Sequence, residues 1–488
     1  MCKLQSSIFK ITLHTLLKLI IYAILNFILF LRGYKVKKLP NEFINIMESM
    51  FKEEFSNFIK FYEDEKIFKG IRINTLKCNS NELLKKLNIN VAESKFCEEG
   101  FYINSDIKGL GKHPLHHAGA FYIQEPSASS AVTILDPHEG EKILDLCASP
   151  GGKSTQIASK LNGKGLLWSN EIVSNRAKVL LSNIERMGVR NASVSSCHPD
   201  VLCNKLCGFF DRVLVDAPCS GEGMFRKEPE AINNWSMDNV KMCAIRQLAL
   251  LNTASKAVKY GGVIVYSTCT FSPEENEGVI SKFLQQNPDF ELENINVDFG
   301  RNAYEKYGCI DLNKALRIFP MDGGEGHFVA KLRCKRDNNC IVNSYDYKGI
   351  NKSCKLPNEL FEEIFNIELY GEREKFGDSF MILPQLLPNI SGLGVIRAGV
   401  QLGVQKKSRI EPSHALFMAS KPIELNSCIN FNCDSNQIMS FLKGEELIVD
   451  EGLSGYVGVS VDNIVVGFGK CSNGRLKNKY PKGLRNSI

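Results

Sequence analysis

A chain of 488 residues is too long for one hydrophobic core and implies roughly two to four domains. Its 17 cysteines are scattered, with no Cys-x-x-Cys pair and no paired Cys/His spacing, which excludes a disulfide-stapled secreted module and a structural zinc site and points to free thiols in a reducing compartment. The net charge of +6 is a mild excess that assigns no partner alone.

Residues 11–31, ITLHTLLKLIIYAILNFILFL, are apolar over the length of a membrane span and are followed by Arg32, Lys35, Lys37 and Lys38. No small-residue cleavage site follows, so a secretory signal is not expected. Residues 1–37 are read either as an anchor with a cytoplasmic body or as a dispensable extension from an upstream start codon. From Leu39 the pattern becomes a helix with Ile44, Met47, Met50, Phe51, Phe55 and Phe58 on one face. A strand over 70–75, a helix near 82–87 and a strand over 100–103 complete a small α+β domain expected over 38–113, with nothing catalytic in it.

Over 114–333 strand and helix patterns alternate. KILDL, GLLWSN, ASVSSC, DRVLVD and GVIVYST are separated by helices, which predicts an α/β domain built on a doubly wound, Rossmann-like parallel sheet. Ligands in such sheets bind at the carboxyl ends of the strands. A polar linker is expected over 334–356, and a separate β-rich domain over 357–488. The last stretch carries Lys470, Arg475, Lys477, Lys479, Lys482 and Arg485 interleaved with Phe468 and Tyr480, a pattern of a folded basic face suited to nucleic acid rather than a solvated tail.

Three short stretches lie at predicted strand ends: CASPGGK from Cys147, DAPCSGEGMFRK from Asp216 and STCTFSPEEN from Ser267. The first is a strand–turn–helix loop in which ligand atoms can approach bare backbone N–H groups. It is not a P-loop, because Cys147 stands where the first glycine would, and GxGxxG is absent. The next strand ends at Glu171, where a carboxylate can accept both hydroxyls of a ribose. An adenosine cofactor without a phosphate chain, S-adenosylmethionine, fits Cys147, Ala148, Ser149, Pro150, Gly151, Gly152, Lys153 and Glu171.

A lone buried cysteine is ordinarily an apolar filler. Cys219 and Cys269, however, each follow an apolar strand among residues too polar for core, at the cofactor face. Methylation at carbon 5 of a pyrimidine needs that arrangement. A thiolate adds to carbon 6 and makes carbon 5 nucleophilic, a carboxyl such as Asp216 assists at N3, and a second thiol can help the adduct break.

The three stretches resemble the signatures of the NOL1/NOP2/Sun family of RNA cytosine-5 methyltransferases. The resemblance extends to RINTLK, GAFYIQEPSAS, RIFPMDGGEGHFVAKL, RAGVQLGV, EPSHAL and LKNKYPKGLR, and is nearest to the bacterial ribosomal-RNA branch. It implies an N-terminal α+β RNA-binding domain, a methyltransferase core and a C-terminal domain related to PUA. It also implies Cys269 as nucleophile and Cys219 as the thiol that aids release, an order that spacing alone leaves open. Asp216 and Pro218 would lie near cofactor and base. Asp200, or failing it a backbone N–H near Cys197 or His198, would meet the adenine. Arg226 and Lys227 are expected on phosphate, with an ion pair to Glu228 or Glu230 as the structural alternative. The implied substrate is small-subunit (16S) ribosomal RNA, free or in an assembling 30S particle, reached as a single-stranded or flipped base. A transfer-RNA methyltransferase and an RNA-binding assembly factor are the competing readings. A cytoplasmic monomer without metal is expected.

Overall fold

The computed structural model describes residues 39–63, 67–308, 311–336, 358–367, 371–407 and 409–485. The segment 11–31, on which the anchor reading falls, and most of the expected linker lie outside them. Among the described residues no helix is long and apolar enough to cross a membrane.

The central sheet contains β1 (Lys142–Asp145), β2 (Leu166–Asn170), β3 (Ala192–Ser195), β4 (Phe210–Asp216), β5 (Val258–Thr268), β6 (Leu316–Ile318), β7 (His327–Cys334) and β8 (Val395–Ala398). Their order is β6-β7-β5-β4-β1-β2-β3-β8, with the short strand Arg301–Asn302 outside β6. β3, β2, β1, β4 and β5 run parallel, while β6, β7 and β8 are antiparallel. The order reverses between β1 and β4, so a crevice opens where these two strands end.

The parallel strands are apolar because both of their faces are covered. On one face Ile143, Leu167, Leu214 and Val265 pack with Ile157 and Leu161 of helix α1 (Gly152–Leu161) and with Leu180 and Ile184 of α2 (Ser174–Arg186). On the other, Leu144, Trp168, Val213, Val215, Ile264 and Tyr266 meet Leu251 of α3 (Met237–Ala257) and Ile280 and Phe283 of α4 (Glu277–Gln286).

The N-terminal domain is an antiparallel sheet of Val91–Glu93, Gly100–Ile103, Lys69–Ile73 and Phe121–Ile123. Helices Asn41–Phe51 and Phe55–Glu63 bury Phe43, Met47, Met50, Phe51 and Phe58 against Phe225, Trp235, Phe271 and Phe319 of the core. Phe43 takes the centre of that cluster, and the expected Ile44 and Phe55 lie at its partly buried margin.

The C-terminal part holds two further sheets, and it is not independent of the core. β8 joins the central sheet through Ala398↔Ser193, and Phe441, Val457 and Tyr480 share one hydrophobic cluster with Ile71 and Phe121 of the N-terminal domain. A four-residue edge strand has no periodicity of its own, so local pattern gives no sign of this pairing.

Behind the catalytic strand end lies a charged fastener. Arg317 on β6 donates from Nε to Glu277 Oε1 at 2.7 Å, from Nη2 to Oε2 at 2.5 Å, and from Nη1 to the Phe271 carbonyl at 2.8 Å. Arg317 is 1% and Glu277 0% exposed. Removing one partner leaves the other charge buried alone. Arg317→Met is therefore expected to lose about 3–5 kcal/mol in urea unfolding, and Arg317→Met/Glu277→Leu to regain most of it.

Candidate active site

The three sequence stretches meet at the ends of β1, β4 and β5. Gly151 turns the first loop into α1 at φ +114°, a conformation closed to residues with a Cβ. Lys153, in the first turn of α1, reaches Asp216 at the end of β4, with Nζ 2.7 Å from Oδ2. The other oxygen of Asp216 accepts from the Ser267 hydroxyl of β5 at 2.7 Å. The contacts with Asp216 hold the Lys153 ammonium above its ordinary range although burial opposes this.

Cys219 and Cys269 follow β4 and β5, and their sulfurs are 3.3 Å apart. Both are free thiols. The hydrogen bond to Cys269 and then burial push the Cys219 thiol well up, and the neighbouring Glu275 carboxyl adds to the shift. The Lys153 ammonium in turn feels the sulfur of Cys269. Cys219 therefore keeps its proton, and either sulfur can donate in the contact between them.

Buried carboxylates fix the loops that carry these thiols. Glu275 accepts from the Ser220 N–H at 3.0 Å and from Gln247 at 2.7 Å. Glu222 accepts from the Phe271 N–H at 2.8 Å and from the Trp235 indole at 2.9 Å. Gly223 packs between the carbonyls of Cys269 and Gly326, where an added Cβ would stand 2.9 Å from each oxygen.

The cofactor loop is clamped rather than free. Ser149 and Arg176 exchange hydrogen bonds at 3.1 and 3.2 Å, and Asn183 donates to the Pro150 carbonyl at 2.9 Å. The Ala148 N–H is taken by the Asn170 carbonyl. Cys147 packs against the core, and burial pushes its thiol up, which suits a lining rather than a reacting group. At the end of β1, Asp145 accepts from Ser154 at 2.7 Å with one oxygen, while Oδ1 is buried without a partner. Glu171 uses Oε1 on the Val173 N–H and keeps Oε2 3.5 Å from Arg176. An orphaned buried carboxylate oxygen can receive an ammonium, and a half-used carboxylate can receive vicinal hydroxyls, so the two fit the amino-acid and ribose ends of S-adenosylmethionine. Among the described residues no group of three or more metal-type side chains occurs.

Several expected contacts are redirected. Arg226 pairs with Glu325 at 3.0 Å and donates to the Phe61 carbonyl, with its side chain 3% exposed, so it faces neither phosphate nor Glu228 or Glu230. Lys227 is half-buried, and the charges of Glu125 and Glu325 act on it. Asp200 accepts from Thr253 of α3 at 2.5 Å, and the Cys197 N–H is occupied by Asn170 Oδ1 at 3.1 Å. On the basic face Lys470 and Lys477 stand opposite each other on adjacent strands and are exposed, as are Lys482 and Arg475, the last paired with Glu446 at 3.1 Å. Lys479 is tied to Glu411, and Arg485 donates to the Tyr480 carbonyl. Phe468 and Tyr480 are core residues, 3% and 2% exposed, and present no aromatic surface.

Two positioning groups were not anticipated. Arg72, inside the RINTLK strand, donates to the Gly152 carbonyl at 3.0 Å and to Thr155 at 2.7 Å, fixing the start of α1 from the N-terminal domain. Ser267 orients Asp216. Arg72 alternates out of an apolar strand, the one local signal it carried; Ser267 carried none.

The family model for the 16S rRNA methyltransferase RsmB/F matches residues 132–333. Models for the RsmF N-terminal domain, first C-terminal domain and PUA domain match residues 39–126, 360–419 and 428–486. Ribosomal RNA small subunit methyltransferase F of Vibrio cholerae is 33% identical over 484 residues, covering 91% of this chain and 97% of that protein. Its counterpart in Vibrio vulnificus is 31% identical over 473 residues, with coverage of 91% and 97%. Among solved structures, a methyltransferase homolog from Pyrococcus horikoshii aligns with TM-score 0.54 and 29% identity over 63% of this chain and 97% of its own.

Burial raises Glu275 to about 7, and its Oε1 has no partner. A carboxyl raised in the folded state binds its proton more tightly there than when unfolded. Its contribution is greatest below the unfolded value near 4 and is lost as pH rises through 7. Glu275→Gln is expected to raise stability at pH 8 by about 2 kcal/mol and to change it little at pH 5, as read by thermal or urea unfolding at the two pH values.

Proposed function

We propose, from the premise that this chain belongs to the RsmB/F family of 16S rRNA methyltransferases, that it methylates carbon 5 of a cytosine in 16S ribosomal RNA with S-adenosylmethionine as donor. The observation that carries the reading is the pair of free thiols 3.3 Å apart beside the Lys153–Asp216 ion pair, at the end of a parallel methyltransferase sheet. S-adenosylmethionine, when bound, supplies the electrophilic methyl group. Asp145, the 147–152 loop and Glu171 are the residues that would hold it.

Cys269 is the nucleophile that adds to carbon 6. Lys153, whose ammonium is held on Asp216, offers its remaining N–H groups to the electron density driven into the ring by the addition. Asp216 has one oxygen on Lys153 and the other on Ser267, so it acts as an acceptor, for the base's amino group or for a proton carried at N3. Cys219, protonated, donates to the Cys269 sulfur and stabilises it as it leaves. Lys227 and the exposed Lys470, Arg475, Lys477 and Lys482 are the cations left for phosphate. The reading puts the enzyme in the cytoplasm, acting as a monomer on ribosomal RNA.

Cys269→Ala is expected to abolish methylation. Cys219→Ala is expected to accumulate covalent enzyme–RNA complexes, seen as a slow species on denaturing gels; the reverse pattern exchanges the roles. Bisulfite sequencing of 16S and transfer RNA from a deletion strain locates the target, and loss of a methylcytosine from transfer RNA alone overturns the ribosomal assignment.

A further inference from the structure

The reaction leaves one proton without an acceptor. Once carbon 5 carries the methyl group, its hydrogen must leave before the bond to Cys269 can break. The Cys219 thiol, pushed well up by its hydrogen bond to Cys269 and by burial, keeps its own proton and is poorly suited to take another. A second base must border the thiol pair.

β7 begins at His327 and pairs antiparallel with β5 in the register Phe328↔Thr268 and Val329↔Ser267. Phe328↔Thr268 is the last pair of this register; His327 precedes it on β7, and Cys269 follows the end of β5. Residues opposite each other in an antiparallel pair share a face, and so do residues two apart on a strand, so the imidazole lies with Val329 on the face of Ser267. The charges that act on it are those of Glu125, Lys153, Asp216 and Lys227, the first from the loop beneath and the others from the catalytic cleft.

The ring is oriented by a buried chain. Ser127 Oγ is 2.8 and 2.7 Å from the two oxygens of Glu125 and 2.8 Å from His327 Nδ1. Its proton goes to the carboxylate and its oxygen accepts Nδ1–H, which leaves the lone pair on Nε2. Nε2 makes no hydrogen bond among the described residues. Burial pushes the imidazole down to about 4, so it is neutral and able to accept. Burial opposes ionisation of Glu125, but His327, Lys227 and Ser127 outweigh it and hold the carboxyl below its usual range, 3.7 Å from Nδ1, where it can steady a transient imidazolium.

We propose that His327 is the base that removes the carbon-5 proton from the methylated cysteine adduct, with Glu125 and Ser127 as its positioning residues. The C5–H bond breaks and its proton passes to Nε2. The electron pair forms the C5=C6 double bond, and the C6–S pair returns to Cys269, beside the thiol of Cys219. This rests on the cytosine-5 reading above.

The test uses full-length enzyme, 16S rRNA tritiated at carbon 5 of cytosine, and S-adenosylmethionine labelled in its methyl group with a second isotope, in single turnover. Methyl transfer by the wild-type enzyme tests the cytosine-5 reading itself; the ratio of the two signals in variants tests the base. His327→Asn is expected to keep methyl transfer within about tenfold while slowing tritium release roughly 100-fold or more, with a methylated protein–RNA adduct trapped. Equal slowing of both signals, or slowing of neither, overturns the assignment. If the His327→Asn variant does not fold, Ser127→Ala carries the test. Tritium release slowed more than methyl transfer supports the relay, and an unchanged ratio overturns it.

Discussion

One carboxylate ties the site together. Asp216 receives the Lys153 ammonium from the cofactor helix and the Ser267 hydroxyl from the catalytic strand, so the three sequence motifs are joined through a single side chain at the strand-order reversal. The position of Cys269 relative to the cofactor loop depends on it. β4 and β5 are parallel neighbours in the register Asp216↔Ser267, and the two thiols that follow them are brought into contact by the same pairing. The switch point supplies the crevice; the charged contact fixes the distances within it.

A second constraint comes from the loops. Chain leaving a sheet at its carboxyl end leaves backbone N–H groups without strand partners, and burial makes that costly. Here buried glutamates accept them: Glu275 for Ser220, Glu222 for Phe271, Glu277 for Tyr304, Glu125 for Ser127, Ala128 and Glu325. Each acid is then balanced by what lies nearest. Glu277 has Arg317, whereas Glu222 has an indole and Glu275 an amide, neutral donors that leave both acids raised by burial. The same devices that hold the loops thus make the cleft sensitive to charge, and they explain why acids crowd a site whose nucleophile is a thiol.

Local pattern revealed the parallel sheet, the strand–turn–helix loop and the thiols at strand ends, because each is written within about ten residues as periodicity or turn chemistry. Partner choice was not legible. Arg226 is expected on phosphate or on Glu228 or Glu230, yet it pairs with Glu325, 99 positions away, with its guanidinium over the rings of Phe61 and Phe68. Lys479 and Arg485 looked like phosphate ligands in a basic run, but alternation along the closing strands and the C-terminal turn commits them to Glu411 and the Tyr480 carbonyl. His327 stands in a motif that gives it no role, since only the β5–β7 register places it on the face of Ser267.

The packing of the terminal domains bears on how a base reaches the site. Asn74 donates to the carbonyls of Gly119 and Met187, His117 meets the Tyr480 hydroxyl at 2.9 Å, and the N- and C-terminal domains share one apolar cluster. Arg72 fixes the cofactor helix from the same N-terminal sheet. Shared cores of this kind behave as packed units and resist hinge motion. On the proposed reading, in which Cys269 attacks from a half-buried position at the strand end, the deformation falls on the RNA, which presents its cytosine unstacked.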